Sequence, residues 1–368
     1  MKVPFNNLKI IHDQIKDEVF EKNYNTVSKN SFILSDEVKD FEQRYAKYSK
    51  SKYTISCSNG TVALELVLKT LKNDSKKSEV LVPVNSFIAT SFAVSNANLK
   101  PVFYDCDSYY LGDTNSLESK INSRTLAIIG VNLYGQMVNL EKFSKISKKY
   151  NLPLIIDGAQ SHGAHNNKNV SEDISLATTY SFYPGKNLGG WGDGGAINTN
   201  SKQLANNLSM IRNQGSKKKY HHDVIGTNAR LNSMQANVLS TKLKYLDEWI
   251  SERNEIADYY TSNLSELENF ITLPKVLEGN YHTYHLYVVQ VKNRTKFTKY
   301  LKSCDIETVI HYPNLISDNL AYKNHKQYGK TFLNASSYKN NIVSLPIFPG
   351  IYKKQLDHVT NSIKKYFM

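Results

Sequence analysis

The N-terminal half of the sequence alternates short apolar, β-branched segments with segments of helical periodicity. Residues 53–57, YTISC, precede an apolar stripe formed by Leu64, Leu68 and Leu71 at helical spacing. The apolar segments EVLVPV, KPVFYDCD, LAIIGVNLYG, LPLIID and ATTYSFY follow in that order. Because parallel strands need crossover connections, which are usually helices, this alternation predicts an α/β fold with a parallel sheet covered by helices.

The pattern changes after about residue 230. Residues 234–260 form a long amphipathic segment without glycine or proline, which predicts one connecting helix. Beyond it, the segments HLYVVQV, ETVIHY and IVSLPIF predict strands separated by helical segments. We therefore expect a large domain at residues 1–245 and a smaller α+β domain at residues 246–368.

Composition argues against several classes of protein. The chain is 40% hydrophobic and 21% charged, which is ordinary for a soluble globular protein. Its N-terminus lacks an apolar stretch that suits a signal peptide, and nowhere do about 18 uncharged apolar residues run together. We expect a cytoplasmic protein with no membrane partner. The three cysteines are widely separated and odd in number, which argues against a disulfide framework or a metal site.

The positive charge of the chain suggests an anionic partner. The formal net charge is +13, but most of the lysines are scattered among Asn, Ser and Tyr. The densest cluster, GSKKKYHHD at residues 215–223, has an aromatic residue inside a basic run. By itself this cluster fits a nucleic-acid patch, a phosphate-binding loop or a solvated turn, and the last is the commonest.

Two polar positions directly follow apolar segments, where ligands collect in open α/β sheets. Residues 58–61, SNGT, come after a predicted strand and open a helix, so Gly60 lets backbone N–H groups approach an anion. The alternative is a simple helix cap. Asp157 ends the segment LPLIID, and its carboxylate is either an N-cap or a buried charge with a cationic partner.

A single lysine, Lys186, lies among six glycines in SFYPGKNLGGWGDGG at residues 181–195. The G-x-G-x-x-G that begins at Gly190 is not a dinucleotide fingerprint, because the following GGAINTN predicts a strand where a helix is needed. A P-loop is also excluded, since Tyr180 and Asn187 replace its glycine and hydroxyl residue. Lys186 therefore needs another explanation.

One cofactor accounts for these three features together. Pyridoxal 5′-phosphate needs an anion cradle for its phosphate, a carboxylate that keeps its ring nitrogen protonated, and a lysine that forms a Schiff base with its aldehyde. The segment SNGT, Asp157 and Lys186 supply these three groups. The glycines around Lys186 leave room for the ring.

The chain also resembles a known family. The segments SFYPGKNLG, DGAQSHGA, SNGTVALELVL, LYGQ, GTNARLNSMQA and KLKYLDEW are similar to those of the DegT/DnrJ/EryC/StrS nucleotide-sugar aminotransferases, and the likeness covers essentially the whole chain. The resemblance implies a fold-type-I, aspartate-aminotransferase-like enzyme. Such an enzyme has a mainly parallel seven-stranded sheet sandwiched by helices, a small C-terminal α+β domain, and a homodimer with shared active sites.

The resemblance also implies a role for particular residues. Lys186 would be the Schiff-base lysine, Asp157 would pair with the pyridinium nitrogen, and Gln160 would donate or accept a hydrogen bond at the ring hydroxyl. Phe87 would stack on the ring. The residues expected to hold the phosphate are Gly60, Thr61, Ser181 and the partner subunit's Asn228. The residues expected to bind substrate are Tyr183, Lys219, Tyr220 and Arg230, of which the last three would face a nucleotide diphosphate.

The motif around Lys186 suggests the substrate. SFYPGKNLGxxGDGGA with DxAQxHGA resembles enzymes that act on dTDP-linked 3-keto-6-deoxyhexoses with L-glutamate as amino donor, whereas 4-aminotransferases of the family often have SFHxxK. A sugar 4-aminotransferase and a non-catalytic, cofactor-binding regulatory protein are the alternatives. A dehydratase of the family has histidine in place of Lys186. Trp191 departs from the usual motif, and we expect it to reshape the sugar pocket.

Overall fold

A computed structural model describes residues 1–72, 76–167 and 169–368 of the chain. The helices are α1 (Leu8–Ser28), α2 (Asp36–Tyr48), α3 (Gly60–Leu71), α4 (Ile88–Asn96), α5 (Thr114–Glu118), α6 (Leu140–Tyr150), α7 (Lys202–Arg212), α8 (Ser233–Lys242), α9 (Leu246–Leu264), α10 (Arg294–Ser303), α11 (Leu333–Tyr338) and α12 (Lys353–Phe367). The strands are β1 (Tyr53–Cys57), β2 (Glu79–Pro83), β3 (Lys100–Tyr104), β4 (Thr125–Val131), β5 (Leu154–Asp157), β6 (His165–Asn166), β7 (Ala177–Ser181), β8 (Gly195–Thr199), β9 (Ser216–Lys218), β10 (His221–His222), β11 (Ile271–Thr272), β12 (Asn280–Tyr281), β13 (Tyr287–Val291) and β14 (Ile342–Leu345).

A large sheet forms the centre of the N-terminal part of the molecule. Within the described residues it has seven strands in the order β1-β8-β7-β5-β4-β2-β3. The pairs from β7 through β5, β4 and β2 to β3 are parallel. Strand β8 alone runs opposite to the other six strands, since it pairs antiparallel with both β1 and β7. The predicted mainly parallel α/β sheet is therefore confirmed, and the segment after Gly190 forms a strand, β8, as expected.

Burial explains why the central strands are continuously apolar. All seven residues of β4 are buried, which is expected of a parallel strand that is covered on both faces. Helix α3 packs beside β7 and β8, and Leu64 and Leu68 of its predicted stripe are fully buried. Asn59 caps α3, because its side-chain oxygen accepts the N–H of Val62 at 2.9 Å.

The predicted single connecting helix at residues 234–260 is wrong, because the segment forms two helices. Helix α8 ends at Lys242 and α9 begins at Leu246. Two tight turns join them, in which the N–H groups of Lys244 and Tyr245 donate to the carbonyls of Thr241 and Lys242. Acidic residues in the first turn of α9 then favour a new helix N-terminus there.

A smaller antiparallel sheet lies in the C-terminal part, in the order β11-β13-β14. It confirms HLYVVQV and IVSLPIF as strand segments. The predicted strand in ETVIHY is wrong, because this segment makes only an isolated bridge between Val309 and Ser344. The N-terminal residue Val3 also pairs with Ile306 in this region. The boundary at residues 245 and 246 stays a proposal. It falls at the start of α9.

A search of the described part of the chain for helices long and apolar enough to cross a membrane finds none.

Candidate active site

A cavity of about 730 Å³ opens at the carboxyl ends of β2, β5 and β7. Parallel strands end at the same edge of a sheet, so the polar residues that follow them converge there. Eight of the predicted residues line this cavity: Gly60, Thr61, Phe87, Asp157, Gln160, Ser181, Tyr183 and Lys186. Trp191 does not line it. Its ring packs against those of His12 and Phe20, so the expected effect of Trp191 on the sugar pocket finds no support in the chain.

Asp157 and Lys186 are the charged pair at the floor of the cavity. Asp157 is 7% exposed. Its carboxylate accepts hydrogen bonds from the Thr90 hydroxyl at 2.8 Å and from the N–H of Ala159 at 3.1 Å. Burial raises the pKa of Asp157, although these hydrogen bonds and the Lys186 charge oppose the rise. Burial also lowers the pKa of Lys186 to about 8, against the attraction of Asp157. A minority of the Lys186 amines is therefore neutral at neutral pH, and the neutral amine is the nucleophilic form.

The first turn of α3 forms a recess for an anion beside β7. The N–H groups of a first helical turn have no acceptor within their own helix, and the helix dipole favours negative charge there. A Cβ atom added to Gly60 would lie 2.7 Å from the Cβ of Ser181. Only glycine therefore lets the α3 N-terminus approach the Ser181 side chain. That these residues hold a phosphate stays a prediction.

His162 holds the backbone of Ser181 through a hydrogen bond. Its Nε2 donates to the Ser181 carbonyl at 3.0 Å, and its Nδ1 accepts from the Tyr45 hydroxyl at 2.8 Å. Burial lowers the pKa of His162 to about 3, so the ring is neutral, as this pair of hydrogen bonds requires. The histidine of DGAQSHGA is therefore a structural support for the cradle, a role that its sequence position did not indicate.

Phe87 and Gln160 line the cavity next to Tyr312. The Phe87 ring is 52% exposed, and its centroid lies 5.3 Å from that of Tyr312. The Gln160 side chain accepts the N–H of Tyr134 at 2.7 Å and donates to the Tyr312 hydroxyl at 3.0 Å. The Gln160 amide donor, which is predicted to meet the ring hydroxyl of the cofactor, faces Tyr312 in this structure.

Several residues of the cavity wall were missed in the sequence: Thr90, Arg253, His285, His311 and Tyr312. His311 and Tyr312 follow the apolar run of ETVIHY, so the rule that identified Asp157 could have identified them. Thr90 lies three residues after Phe87, but only its contact with Asp157 reveals its role. The position of Arg253 inside α9 gives no local signal.

The remaining four predicted residues lie outside the cavity. Asn228 is exposed beside Asn213, with which its backbone pairs. Arg230 donates to the side chains of Asn213 at 2.7 Å and Gln214 at 3.1 Å. Lys219 and Tyr220 lie on the hairpin of β9 and β10, where the Lys219 ammonium is 5.1 Å from the centroid of the Tyr220 ring. Within one chain, these residues do not join the others.

The residues of the cavity fit pyridoxal 5′-phosphate. A Cβ atom on Gly60 would clash with Ser181, so glycine alone lets the first turn of α3 lie against Ser181, where its backbone N–H groups and the Ser181 hydroxyl suit a phosphate. The buried carboxylate of Asp157 suits a cationic ring nitrogen, and Lys186 presents a half-buried amine in the same cavity. These residues would hold the phosphate, the ring nitrogen and the aldehyde, respectively.

Comparisons with known proteins agree with this assignment. Residues 13–364 match the DegT/DnrJ/EryC1/StrS aminotransferase family. The chain is 41% identical to the dTDP-3-amino-3,6-dideoxy-alpha-D-galactopyranose transaminase of Aneurinibacillus thermoaerophilus, over 99% of each chain. It is 35% identical to a pleiotropic regulatory protein of Geobacillus stearothermophilus, over 100% of this chain and 99% of the relative.

The fold is shared with solved structures of the same family. The crystal structure of S. venezuelae DesV, in complex with a ketimine intermediate, superimposes with a TM-score of 0.96 at 32% identity and covers 99% of this chain and 98% of that chain. The protein belongs to the DegT/DnrJ/EryC1/StrS aminotransferase family, and it is a sugar aminotransferase that depends on pyridoxal 5′-phosphate.

Proposed function

We propose that the protein transfers the amino group of L-glutamate to carbon 3 of a dTDP-linked 3-keto-6-deoxyhexose, giving a dTDP-3-amino-3,6-dideoxyhexose. The observation that supports transamination most directly is the half-buried Lys186 amine in one cavity with Asp157 and the α3 N-terminus. The choice of sugar is supported by the SFYPGKNLG motif and by the 41% identity to a transaminase named for a dTDP-3-amino-3,6-dideoxy sugar.

Each residue of the cavity has a task in this reaction. When bound, the cofactor supplies a carbonyl that accepts the donor's amino group and a ring that withdraws electrons from the reacting carbon. Lys186 Nζ would accept a proton from the α-carbon of the donor and deliver it to the former carbonyl carbon of the cofactor, a role for which its pKa of about 8 is suited. Asp157 keeps the ring nitrogen protonated. Gly60, Thr61 and Ser181 fix the phosphate, so that the ring keeps its orientation. Two half-reactions at one site predict ping-pong kinetics.

The proposed substrate can be tested by separate incubations. The purified protein, L-glutamate and either a 3-keto or a 4-keto dTDP-6-deoxyhexose are combined, and the position of the amino group in the product is determined by NMR. We expect amination of the 3-keto sugar only, and no product with Lys186→Ala. Amination of the 4-keto sugar alone would identify a 4-aminotransferase instead. No product from either sugar would reject the proposed substrate class.

We also propose that the active sites are shared in a homodimer. The support is the position of Asn228 and the β9–β10 hairpin outside the cavity of their own chain. Tyr220 is 82% exposed and Ile225 is 99% exposed, and an apolar side chain left this open in one chain is suited to burial against a second copy. From the family resemblance we expect the partner subunit's Asn228 to contact the cofactor phosphate and the hairpin to face the nucleotide diphosphate.

Subunit mixing tests the shared site. Lys186→Ala and Asn228→Asp are each expected to be inactive, the second because its added charge repels the phosphate. In a heterodimer one site contains both changes and the other contains neither, so statistical exchange should restore about a quarter of wild-type activity. Activity is measured after exchange has been verified with a mass-tagged subunit. A monomer by light scattering, an active Asn228→Asp parent, or no recovery after exchange would each contradict the proposal.

A further inference from the structure

Lys242 is a buried lysine that has no acidic partner among the residues that the structure describes. It is the last residue of α8, its side chain is 0% exposed, and it forms no ion pair with any of the described residues. Burial lowers its pKa to about 7. Removing an ammonium group from water is costly, and a methionine of similar length would avoid that cost. The hydrogen bonds of Lys242 must offset this desolvation cost.

The Lys242 ammonium binds the turn that contains Lys186. Its Nζ donates to the carbonyl of Gly189 at 2.7 Å and lies 3.2 Å from Nε2 of His12. Burial and the Lys242 charge lower the pKa of His12 to about 4, so its ring is neutral and can accept a hydrogen bond. Lys242 thus links α8 and α1 to a carbonyl three residues beyond Lys186.

The turn at residues 182–190 is tightly folded, so a restraint at Gly189 acts on Lys186. The N–H of Lys186 donates to the Tyr183 carbonyl at 2.9 Å, and the N–H of Gly190 donates to the Phe182 carbonyl at 2.8 Å. A Cβ atom on Gly189 would lie 2.2 Å from the Pro184 carbonyl oxygen. Because the two halves of the turn are in contact, a shift of Gly189 would also move the backbone of Lys186.

Asn187 fixes the other side of this turn. Its amide donates to the Thr283 carbonyl at 2.9 Å. Two hydrogen bonds therefore flank Lys186: Asn187 donates to Thr283 on one side, and Lys242 donates to Gly189 on the other. A pKa of about 7 leaves about half of the Lys242 amines charged at neutral pH, and this charged form donates the stronger of the two hydrogen bonds.

We propose that Lys242 is a positioning residue, which holds the Gly189 carbonyl and thereby keeps Lys186 in place to bond the cofactor aldehyde. This inference rests on the proposed role of Lys186. It assigns Lys242 no contact with cofactor or substrate.

Two cofactor forms separate positioning of Lys186 from general support of the fold. Pyridoxal 5′-phosphate bonds to a lysine, whereas pyridoxamine 5′-phosphate has an amine in place of the aldehyde and cannot. Dissociation constants for both are measured by fluorescence titration of the apo-protein. Lys242→Met should weaken binding of the aldehyde form by roughly tenfold or more, which is the effect of losing a hydrogen bond from a charged group. Binding of the amine form should stay within about twofold of the wild-type value. The matched control is Lys244→Met, which removes a half-exposed lysine paired with Glu18. It should change neither constant.

A melting curve accompanies each variant. If Lys242→Met does not fold, Lys242→Gln takes its place, since a neutral amide donor should restore part of the preference for the aldehyde form. Equal weakening of both cofactor forms, or no weakening of either in a folded variant, would overturn the positioning role. Failure of the proposed function appears separately, as a Lys186→Ala protein that keeps the wild-type preference for the aldehyde form.

Discussion

Lys186→Ala is expected to reduce turnover by at least about 10³-fold, within the range for loss of a positioned proton-transfer group. Its amine lies in the cavity with Asp157, and its pKa of about 8 leaves part of it neutral at physiological pH. Alanine removes both the nucleophile for the cofactor aldehyde and the group that moves the proton. The variant should still fold, because losing a half-buried ammonium also removes its desolvation cost.

Borohydride labelling measures the same residue directly. Reduction should fix the cofactor covalently to the wild-type chain at Lys186, as located by peptide mass spectrometry, and should fix none to Lys186→Ala. The matched control is Lys145→Ala on α6, an exposed lysine paired with Glu141. It should label and turn over like the wild type. Label at a different lysine of the wild-type chain would reject the assignment of Lys186.

The parts of the fold that could be predicted are those with local causes. A strand buried on both faces must be continuously apolar, so the segments that became β4 and β5 could be recognised without any partner in view. The end of such a strand also marks the edge of the sheet where ligands bind. For this reason Asp157 and Gly60 could be assigned to one site from the order of segments alone.

The break between α8 and α9 could not be predicted in this way. Residues 243–245, LKY, contain neither glycine nor proline, and the amphipathic pattern continues through them. What separates the helices is tertiary structure: α8 packs against α1 and α2, whereas α9 packs against α12. The same packing buries Lys242, a residue type that is mostly exposed, so its contact with Gly189 has no counterpart in the sequence pattern.

Long-range contacts also account for the residues of the site that were missed. The Tyr312 hydroxyl meets Gln160 across 152 residues of sequence, and Thr90 reaches Asp157 across 67. Thr90 is unremarkable within its own segment, whereas Tyr312 follows an apolar run and could have been noticed. Only the assembled fold brings these side chains to the same cavity. Local signals therefore identified Asp157 and Lys186, but not Thr90 or the cavity residue Arg253 inside α9.

Asp157→Asn is expected to lower activity by about 10²-fold or more while changing fold stability only modestly. The amide keeps the shape of the carboxylate and its hydrogen bonds with Thr90 and Ala159 can be rearranged, but it has no negative charge to hold the ring nitrogen protonated. Because burial raises the pKa of Asp157 in spite of the Lys186 charge, the carboxylate should gain from pairing with that nitrogen. Turnover with glutamate and the melting temperature are the two measurements.

Asp113→Asn provides the matched control for the alternative role of Asp157 as a helix cap. Asp113 is a true N-cap, since its carboxylate accepts the N–H groups of Asn115 and Ser116 at the start of α5. Its replacement should cost at most about 1 kcal/mol of stability and leave turnover unchanged. Asp157 instead ends β5 and precedes a turn rather than a helix. If Asp157→Asn behaved like Asp113→Asn, with near wild-type turnover, Asp157 would be a backbone-capping residue. The ring nitrogen would then need a different partner.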